Sequence, residues 1–166
     1  SVMRIEDVFS DISFEERNNI YVEEVKKLAE QSFLKSLKKA SLSPADIDYI
    51  ITISCTGIMI PSLDAYLINR LNMKQDIVRL PVTQMGCVGG VSGIIYAKKF
   101  LASVPNKRAV VIAVETPTTI FQVEDFSMTN IVSAAIFGDG AASVILSSYE
   151  QEKGPKIIYE SMYHFY

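Results

Sequence analysis

The sequence predicts an α/β fold, in which helices and strands alternate along a single domain of 166 residues. Apolar residues between positions 20 and 40 recur at the spacing of one helix face, which is typical of an amphipathic helix. Residues 109–114 form an unbroken run of alanine, valine and isoleucine, as in strands that helices cover on both faces. The chain is 49% hydrophobic and 21% charged, so it can bury one sizeable core.

The predicted helices follow from apolar spacing and from the residues that begin helices. The helix over residues 20–40 is followed by Ser43 and Pro44, which suit the cap and the first position of a short helical turn. Apolar residues three or four positions apart predict three further helices, over residues 62–71, 91–101 and 128–135. We therefore expect four helices and one short turn.

The predicted strands are short runs rich in branched and aromatic residues. They cover residues 47–53, 77–82, 109–114, 141–147 and 156–162. The last two are expected to pair as a hairpin through Gly154 and Pro155, because these residue types are typical of turns.

Composition and charge exclude several classes of function. The net charge is −3, and lysine and arginine are spread along the chain, so we expect no nucleic-acid partner. The apolar runs are far shorter than the roughly 18 to 20 residues of a membrane-spanning helix, and the first residues do not form a secretory signal. We therefore predict a cytoplasmic protein without a membrane span. Two cysteines, Cys55 and Cys87, and one histidine, His164, predict free thiols and no metal site.

A glycine-rich turn around Cys87 is the most informative motif of the sequence. Gly86 precedes the cysteine, and Gly89, Gly90 and Gly93 follow it within the first two turns of the predicted helix. Each glycine within a helix costs about 1 kcal/mol relative to alanine, so another requirement must outweigh this loss. Two physical reasons fit: the turn needs unusual backbone angles, and the helix passes close to another backbone or a bound chain.

The position of Cys87 allows two interpretations. A cysteine between a strand and the first turn of a helix lies near the positive end of the helix dipole, which favours the reactive thiolate. Alternatively, Cys87 is an ordinary buried thiol beside a close-packed helix, since buried cysteines are common. The spacing of the residues alone does not separate these two interpretations.

Four segments, in the same order along the chain, resemble segments of the type III polyketide synthases, the chalcone synthase-like family. They are residues 56–64, Gly86-Cys87-Val88-Gly89-Gly90, Ala113-Val114-Glu115 followed by Phe121, and Phe137-Gly138-Asp139-Gly140-Ala141-Ala142. In that family the first segment lines the active site and reaches the dimer partner, and the second holds the nucleophile. The resemblance extends from about Phe14 to the end of the chain.

The resemblance implies a thiolase-like fold, of which this chain forms one half of a duplicated α-β-α-β-α architecture. It implies an acyltransferase that uses an acyl-CoA starter and malonyl-CoA extenders, needs no cofactor, and lengthens the chain by decarboxylative Claisen condensation. Cys87 would carry the acyl group, and Ile60 matches the residue that contacts the second subunit of a homodimer. The residues implied to line the substrate pocket are Cys55, Thr56, Ile120, Phe121 and Phe137.

Some functional residues of the family have no match in this chain. The family uses a His and an Asn from its C-terminal half, and basic residues of its first segment that hold the CoA phosphates. We expect residues 1–166 to be the nucleophile-bearing N-terminal half domain, truncated at both ends relative to the family and inactive alone. His164 lies in the predicted hairpin and does not match the catalytic position, so we assign it no role.

Two other functions remain open. A ketoacyl-carrier-protein synthase of the fatty-acid type shares the fold and the acyl-cysteine chemistry, although residues 56–64 and Phe137 favour the polyketide synthases. The alternative of another class is a non-catalytic assembly fragment, whose exposed surface packs on a missing half.

Several residues in the matched segments also have ordinary structural interpretations. Phe121 and Phe137 could be core aromatics. Asp139 with Gly140 is predicted as a tight turn before a strand rather than as a catalytic acid. Glu115, at the end of an apolar strand, is predicted as a buried carboxylate with a structural hydrogen-bond partner rather than as a proton-transfer group.

Overall fold

The structure, a computed structural model, describes residues 1–165 and is built around one mixed sheet. Its strands are Tyr49–Ile53 (β1), Val78–Val82 (β2), Arg108–Glu115 (β3) and Gly140–Ser147 (β4). The strand order is β2-β1-β3-β4, with β1 parallel to β2 and β3, and β4 antiparallel to β3. Because parallel strands end at the same edge of a sheet, the loops after β1, β2 and β3 lie side by side.

The helices lie on both faces of this sheet and confirm the predicted α/β fold. They are Ile5–Val8 (α1), Phe14–Ala40 (α2), Leu63–Arg70 (α3), Gly89–Ser103 (α4) and Met128–Ile136 (α5). Three short turns of 3₁₀-helix cover Pro44–Asp46, Gly86–Val88 and Pro117–Ile120. All four helices predicted from apolar spacing are present, and the turn predicted at Ser43 and Pro44 is confirmed.

The helix α2 begins six residues earlier than predicted, because Ser13 caps it. The Ser13 Oγ accepts a hydrogen bond from the Glu16 backbone N–H at 3.2 Å, and the Glu16 carboxylate accepts one from the Ser13 N–H at 2.8 Å. This reciprocal capping box satisfies backbone donors that the helix itself leaves free. The apolar pattern missed this start because residues 14–19 are mostly charged or polar.

The core consists of two layers, one on each face of the sheet. On one face, α2 packs on the sheet, and the fully buried residues there include Val25, Ala29, Phe33, Ile50 and Ile112. On the other face, α4 packs on the sheet through Ala97, Leu101, Ile51 and Val111. The strand β3 is thus covered on both sides, as its unbroken apolar run predicted.

The predicted hairpin between residues 141–147 and 156–162 is wrong. β4 forms, but its antiparallel partner is β3, in a register that runs from Arg108 opposite Ser147 to Glu115 opposite Gly140. Residues 154–165 contain no strand, and a contact between Lys98 and Glu160 joins this segment to α4. His164 is therefore exposed outside any strand. Two runs with strand-like composition, close together in the sequence, predicted a hairpin between them. The pairing of β4 with the buried strand β3 is the more stable arrangement, because it places β4 side chains against those of a core strand.

The helices of residues 1–165 include none that combines the length and the apolar character needed to span a membrane.

Candidate active site

Cys87 lies in the short helical turn Gly86–Val88, which connects the end of β2 to the start of α4. Gly86 has φ +57°, a left-handed conformation that a side chain disfavours. Gln84, two residues earlier, also has a positive φ of 61°. The turn therefore needs the unusual backbone angles that the sequence predicted, and Gly86 meets this need.

Gly89 and Gly93 allow α4 to lie close to the sheet. A Cβ at Gly89 would lie 2.7 Å from the Ile53 Cγ2 atom, and a Cβ at Gly93 would lie 2.6 Å from the Ile53 Cδ1 atom and 2.8 Å from the Val111 Cγ1 atom. The close approach is thus to side chains of β1 and β3, and the expected contact with another backbone or a bound chain is wrong at these two positions. Gly90 has open space around it, and nothing in the structure explains this glycine.

The Cys87 side chain is exposed, which contradicts the alternative of a buried thiol. It lies two residues before the 15-residue helix α4, whose N-cap residue, Val88, provides no side-chain hydrogen bond to the first turn. The helix dipole therefore places partial positive charge at this end of the helix, where the Gly89 N–H also donates to the Gly86 carbonyl oxygen of the preceding turn. Such a position can stabilise an anionic oxygen that forms beside it.

Glu115, at the carboxyl end of β3, holds the loop that follows β1. Its carboxylate accepts hydrogen bonds from the Cys55 N–H at 3.0 Å, from the Thr56 N–H at 3.1 Å and from the Thr56 Oγ1 at 2.8 Å. The Thr56 Oγ1 in turn accepts the Thr116 N–H at 2.9 Å. The predicted structural hydrogen-bond partners of Glu115 are confirmed, whereas its predicted burial is wrong, because the residue is only half-buried.

Cys55 and Thr56 are held in different environments by this network. Thr56 is buried, whereas Cys55 is exposed beside the Glu115 carboxylate. Loss of hydration around the sulfur, followed by the negative charge of Glu115 and a hydrogen bond to it, raises the pKa of the Cys55 thiol from 9.0 to about 11. A charge on Cys87 raises this pKa further, so the two cysteines are close enough to interact electrostatically.

A cavity of about 480 Å³ opens beside this loop. Its lining includes four of the residues predicted from the family resemblance, namely Cys55, Thr56, Ile60 and Ile120. Thr83 and Gln84, which follow β2 and lead towards Cys87, form another part of the wall. The described residues that line it do not include Cys87, Phe121 or Phe137, so the chain brings together only part of the predicted set.

Phe121 and Phe137 lie outside the cavity wall. Phe121 is half-buried and meets the ring of Phe9 edge to face, with the ring centroids 5.6 Å apart. Phe137 follows α5 and is 50% exposed, so it is not a core aromatic. Both are therefore available to contact something other than the core.

Asp139 joins the segment after α5 to the segment after β3. Its carboxylate accepts hydrogen bonds from the Thr118 N–H at 3.1 Å, the Thr118 Oγ1 at 2.8 Å and the Val2 N–H at 2.7 Å. It directly precedes β4, where the sequence predicted a structural rather than an acidic role. The segments that carry Ile120 and Phe137 are thereby tied to one another.

Sequence reasoning missed Tyr21, which supports the loop from the side of α2. Its hydroxyl lies 2.9 Å from the Ser54 Oγ, and its ring packs against Gly57 so closely that a Cβ there would lie 2.3 Å from the ring. Burial raises the pKa of the Tyr21 hydroxyl. A glycine between two apolar runs was the one signal of this contact, because it marks a close approach.

Asp64 and Arg79 were also missed. The Asp64 side chain is fully buried, and its carboxylate accepts a hydrogen bond from the Arg79 Nε at 2.6 Å. Arg79 also donates to the Ser62 Oγ at 3.2 Å, so this pair connects β2 to the loop that carries Ile60. No local pattern in the sequence indicates it, since the two residues lie on different elements.

Among residues 1–165, no group of three or more histidine, cysteine, aspartate or glutamate side chains is arranged to bind a metal ion. The groups that the site offers for chemistry are the two thiols, the threonine hydroxyls of the loops and the backbone N–H groups at the start of α4.

Comparisons with known proteins agree with this geometry. Residues 6–149 match the family model of the N-terminal domain of chalcone and stilbene synthases. The chain is 34% identical over 145 residues to a 1,3,6,8-tetrahydroxynaphthalene synthase of Streptomyces coelicolor, covering 87% of this chain and 39% of that protein. It is 31% identical over 156 residues to a phloroglucinol synthase of Pseudomonas fluorescens, covering 94% of this chain and 45% of that protein.

A solved structure shows the same fold. The crystal structure of the tetrahydroxynaphthalene synthase from Streptomyces coelicolor, described as a bacterial type III polyketide synthase, superposes with a TM-score of 0.85 at 34% identity, over 88% of this chain and 42% of that one. The chain thus spans less than half the length of these relatives. With the thiolase-like fold shared and the family model matched along most of its residues, this chain belongs to the chalcone and stilbene synthase family, in which it corresponds to the N-terminal domain.

Proposed function

We propose that this chain supplies the nucleophile of a type III polyketide synthase, and that Cys87 is that nucleophile. The observation that carries the proposal is the exposed Cys87 side chain at the uncapped N-terminal end of α4, next to the loops that form the cavity. The helix dipole at this end can stabilise negative charge that develops beside the sulfur during acyl transfer. Loss of hydration and the neighbouring Glu115 carboxylate raise the pKa of Cys55, the other cysteine, to about 11.

The proposed reaction begins with acyl transfer to the Cys87 sulfur. The sulfur attacks the thioester carbonyl carbon of an acyl-CoA, a new sulfur–carbon bond forms, and the bond to the CoA sulfur breaks, so that CoA leaves as a thiolate. Loss of CO₂ from malonyl-CoA then supplies a carbanion, which attacks the acyl carbon and displaces the Cys87 thiolate. The extended chain leaves on CoA, and the reaction needs no cofactor because decarboxylation provides the carbanion.

The proposed substrate site is the cavity beside the loop after β1. A volume of about 480 Å³ is within the range of small-molecule sites, and Cys55, Thr56 and Ile120 provide mixed polar and apolar walls. We place Phe121 and Phe137 at the border of the same site. The contact of Asp139 with Thr118 supports this placement, because it holds the segment of Phe137 next to the segment of Ile120 and Phe121.

The proposed assembly is a homodimer that also includes polypeptide outside these residues. Ile60 is 91% exposed, which suits the predicted contact with a second subunit. Helix α5 is mostly apolar, yet none of its residues is buried among residues 1–165. Further polypeptide that covers α5 could provide the His and Asn that the family resemblance implies. The same exposed helix is the one observation in favour of the alternative of an assembly fragment.

The proposed location is the cytoplasm, which is consistent with two cysteines that are both free thiols.

Peptide mapping after incubation with acetyl-CoA tests the nucleophile. We expect one acetyl group on Cys87, no acetylation of a Cys87→Ser variant, and normal acetylation of a Cys55→Ser variant. Acylation forms and breaks bonds only at the sulfur and the thioester, so we expect slow acetylation of the 166-residue chain even without the His and Asn that the family resemblance implies, whereas condensation is not expected. Acetylation of Cys55 in place of Cys87, or of neither cysteine, would contradict the proposal.

A further inference from the structure

Two exposed cysteines share the region where the proposed function needs only one reactive thiol. Cys55 follows β1 and Cys87 follows β2 after a short connection, so both lie at the edge where these parallel strands end. Cys55 lines the cavity, so a substrate bound there would lie beside this residue. An acyl group placed on Cys55 would occupy the cavity without being positioned for extension from Cys87. Productive extension from Cys87 therefore requires that Cys55 stays unreactive.

Glu115 is the group best placed to do this. Its two carboxylate oxygens both lie 3.0 Å from the Cys55 backbone nitrogen, and one of them also receives the Thr56 N–H and Oγ1. The register of β1 and β3 explains this contact, because Ile53 is opposite Ala113 and the next pair of the same parity is Cys55 and Glu115. The carboxylate is thus fixed beside Cys55 by three donors from the same loop.

The charges around Cys55 do not offset that of Glu115. The groups that act on it from neighbouring elements are Glu115 of β3, Cys87 of the turn before α4, and Tyr21 of α2, whose hydroxyl binds Ser54. None of these is a cation. Within residues 1–165, none of the ion pairs involves Glu115. A thiolate at Cys55 would therefore face a fixed negative charge with no cation between them.

We propose that Glu115 decides which cysteine is acylated, because it keeps Cys55 as a neutral thiol and leaves Cys87 as the sulfur that reacts. Acylation of either cysteine forms a sulfur–carbon bond and breaks the bond to the CoA sulfur, and in both cases the attacking species is the thiolate. Glu115 suppresses this species at one of the two sites, in addition to the loss of hydration around that sulfur. It is a positioning and specificity-determining residue, since it touches the loop and not the acyl group. This inference rests on the proposed function of Cys87.

The first test measures Cys55 by itself, in a chain with Cys87→Ser. The alkylation rate with iodoacetamide, followed by mass spectrometry from neutral to alkaline pH, reports the thiolate fraction. We expect the rate to rise only at a pH well above the ordinary midpoint of a cysteine, in keeping with a pKa of about 11. A midpoint at the ordinary value would overturn the inference, whatever the behaviour of other variants.

The second test removes the charge. In the Cys87→Ser background, Glu115→Gln should increase the alkylation rate of Cys55 at about pH 8 by roughly threefold for each unit by which the pKa falls, after allowance for the lower nucleophilicity of a more acidic thiol. Glu115→Asp, which keeps the charge, should leave the reaction slow. Asp139→Asn is the matched control, because Asp139 also accepts two backbone N–H groups and a threonine hydroxyl but binds another loop.

These outcomes distinguish an effect of the Glu115 charge on the reactivity of Cys55 from an effect of loosening the loop. Equal acceleration by Glu115→Gln and Glu115→Asp, or acceleration by Asp139→Asn, would show that mobility exposes the sulfur and would contradict the inference. Thermal unfolding of each variant shows whether it is folded, and if Glu115→Gln is not folded, an ordinary alkylation midpoint for Cys55 with Glu115 intact would still overturn the inference. Failure of acetyl-CoA to modify Cys87 would instead contradict the proposed function, and these alkylation results would stand.

Discussion

Gly93 of α4 lies against Ile53 of β1 so closely that a Cβ added to the glycine would be 2.6 Å from the Ile53 Cδ1 atom. This contact sets the distance between the sheet and the first turns of α4, which follow Cys87 in the chain. The helix start that carries the proposed nucleophile is therefore positioned by a pair of residues that take no part in the chemistry. The contribution of the contact between Gly93 and Ile53 to the free energy of unfolding can be tested by substitution.

A Gly93→Ala substitution should destabilise the chain by about 1–3 kcal/mol, because the added methyl overlaps Ile53 and Val111 in a packed layer. The matched control is Gly90→Ala, three residues earlier in the same helix, where the space is open. That change should stabilise the chain by up to about 1 kcal/mol through helix propensity alone. Urea unfolding of both variants measures the difference, and equal effects of the two substitutions would contradict the packing argument.

Alkylation of the unmodified chain should label Cys87 well before Cys55 near neutral pH. The pKa of Cys55 is raised to about 11 by loss of hydration and by Glu115, so almost none of it is thiolate under these conditions. Cys87 is exposed at the start of α4 and has no such carboxylate among its described hydrogen-bond partners. Peptide mapping at short reaction times gives both rates. Equal rates, or faster labelling of Cys55, would be incompatible with these two environments.

The stability of the chain should fall as the pH rises from about 9 to about 11, in part because of Cys55. Its folded-state pKa is raised, so the unfolded chain loses this proton first, and deprotonation in that window favours unfolding. We expect a contribution of about 1 kcal/mol, below the full linkage value because Cys55 is exposed. Urea unfolding at both pH values, compared between the unmodified chain and Cys55→Ser, isolates this contribution from other titrating groups. A difference that does not change with pH would rule it out.

The 166-residue chain should not decarboxylate malonyl-CoA. The family resemblance assigns this step to a His and an Asn of the C-terminal half, whereas the one histidine here, His164, is exposed outside any regular element. Release of CO₂ and formation of acetyl-CoA measure the reaction, with a chain carrying Cys87→Ser as the blank. Measurable turnover above that blank would mean that residues of this chain are sufficient for the step.

Prediction from the sequence succeeded for elements that a local pattern specifies, and it failed where strands distant in the sequence pair with one another. The amphipathic spacing predicted α2 and the unbroken apolar run predicted β3, because periodicity reports which faces are buried. The expected hairpin of residues 141–147 and 156–162 failed because β4 pairs with β3, about thirty residues earlier in the chain. The early start of α2 at Phe14 was missed because its capping box precedes the apolar pattern.

The sequence by itself determined most of the helices and strands, the glycine-rich turn at Cys87 and the family segments, since each depends on neighbouring residues in the chain. The tertiary structure alone decided which side chains meet. Cys55 and Glu115 are sixty residues apart, and they come into contact because β1 and β3 pair in parallel and end at the same edge of the sheet. That pairing depends on the free energy of the whole packed core, which no local pattern encodes, and it makes the two cysteines chemically different.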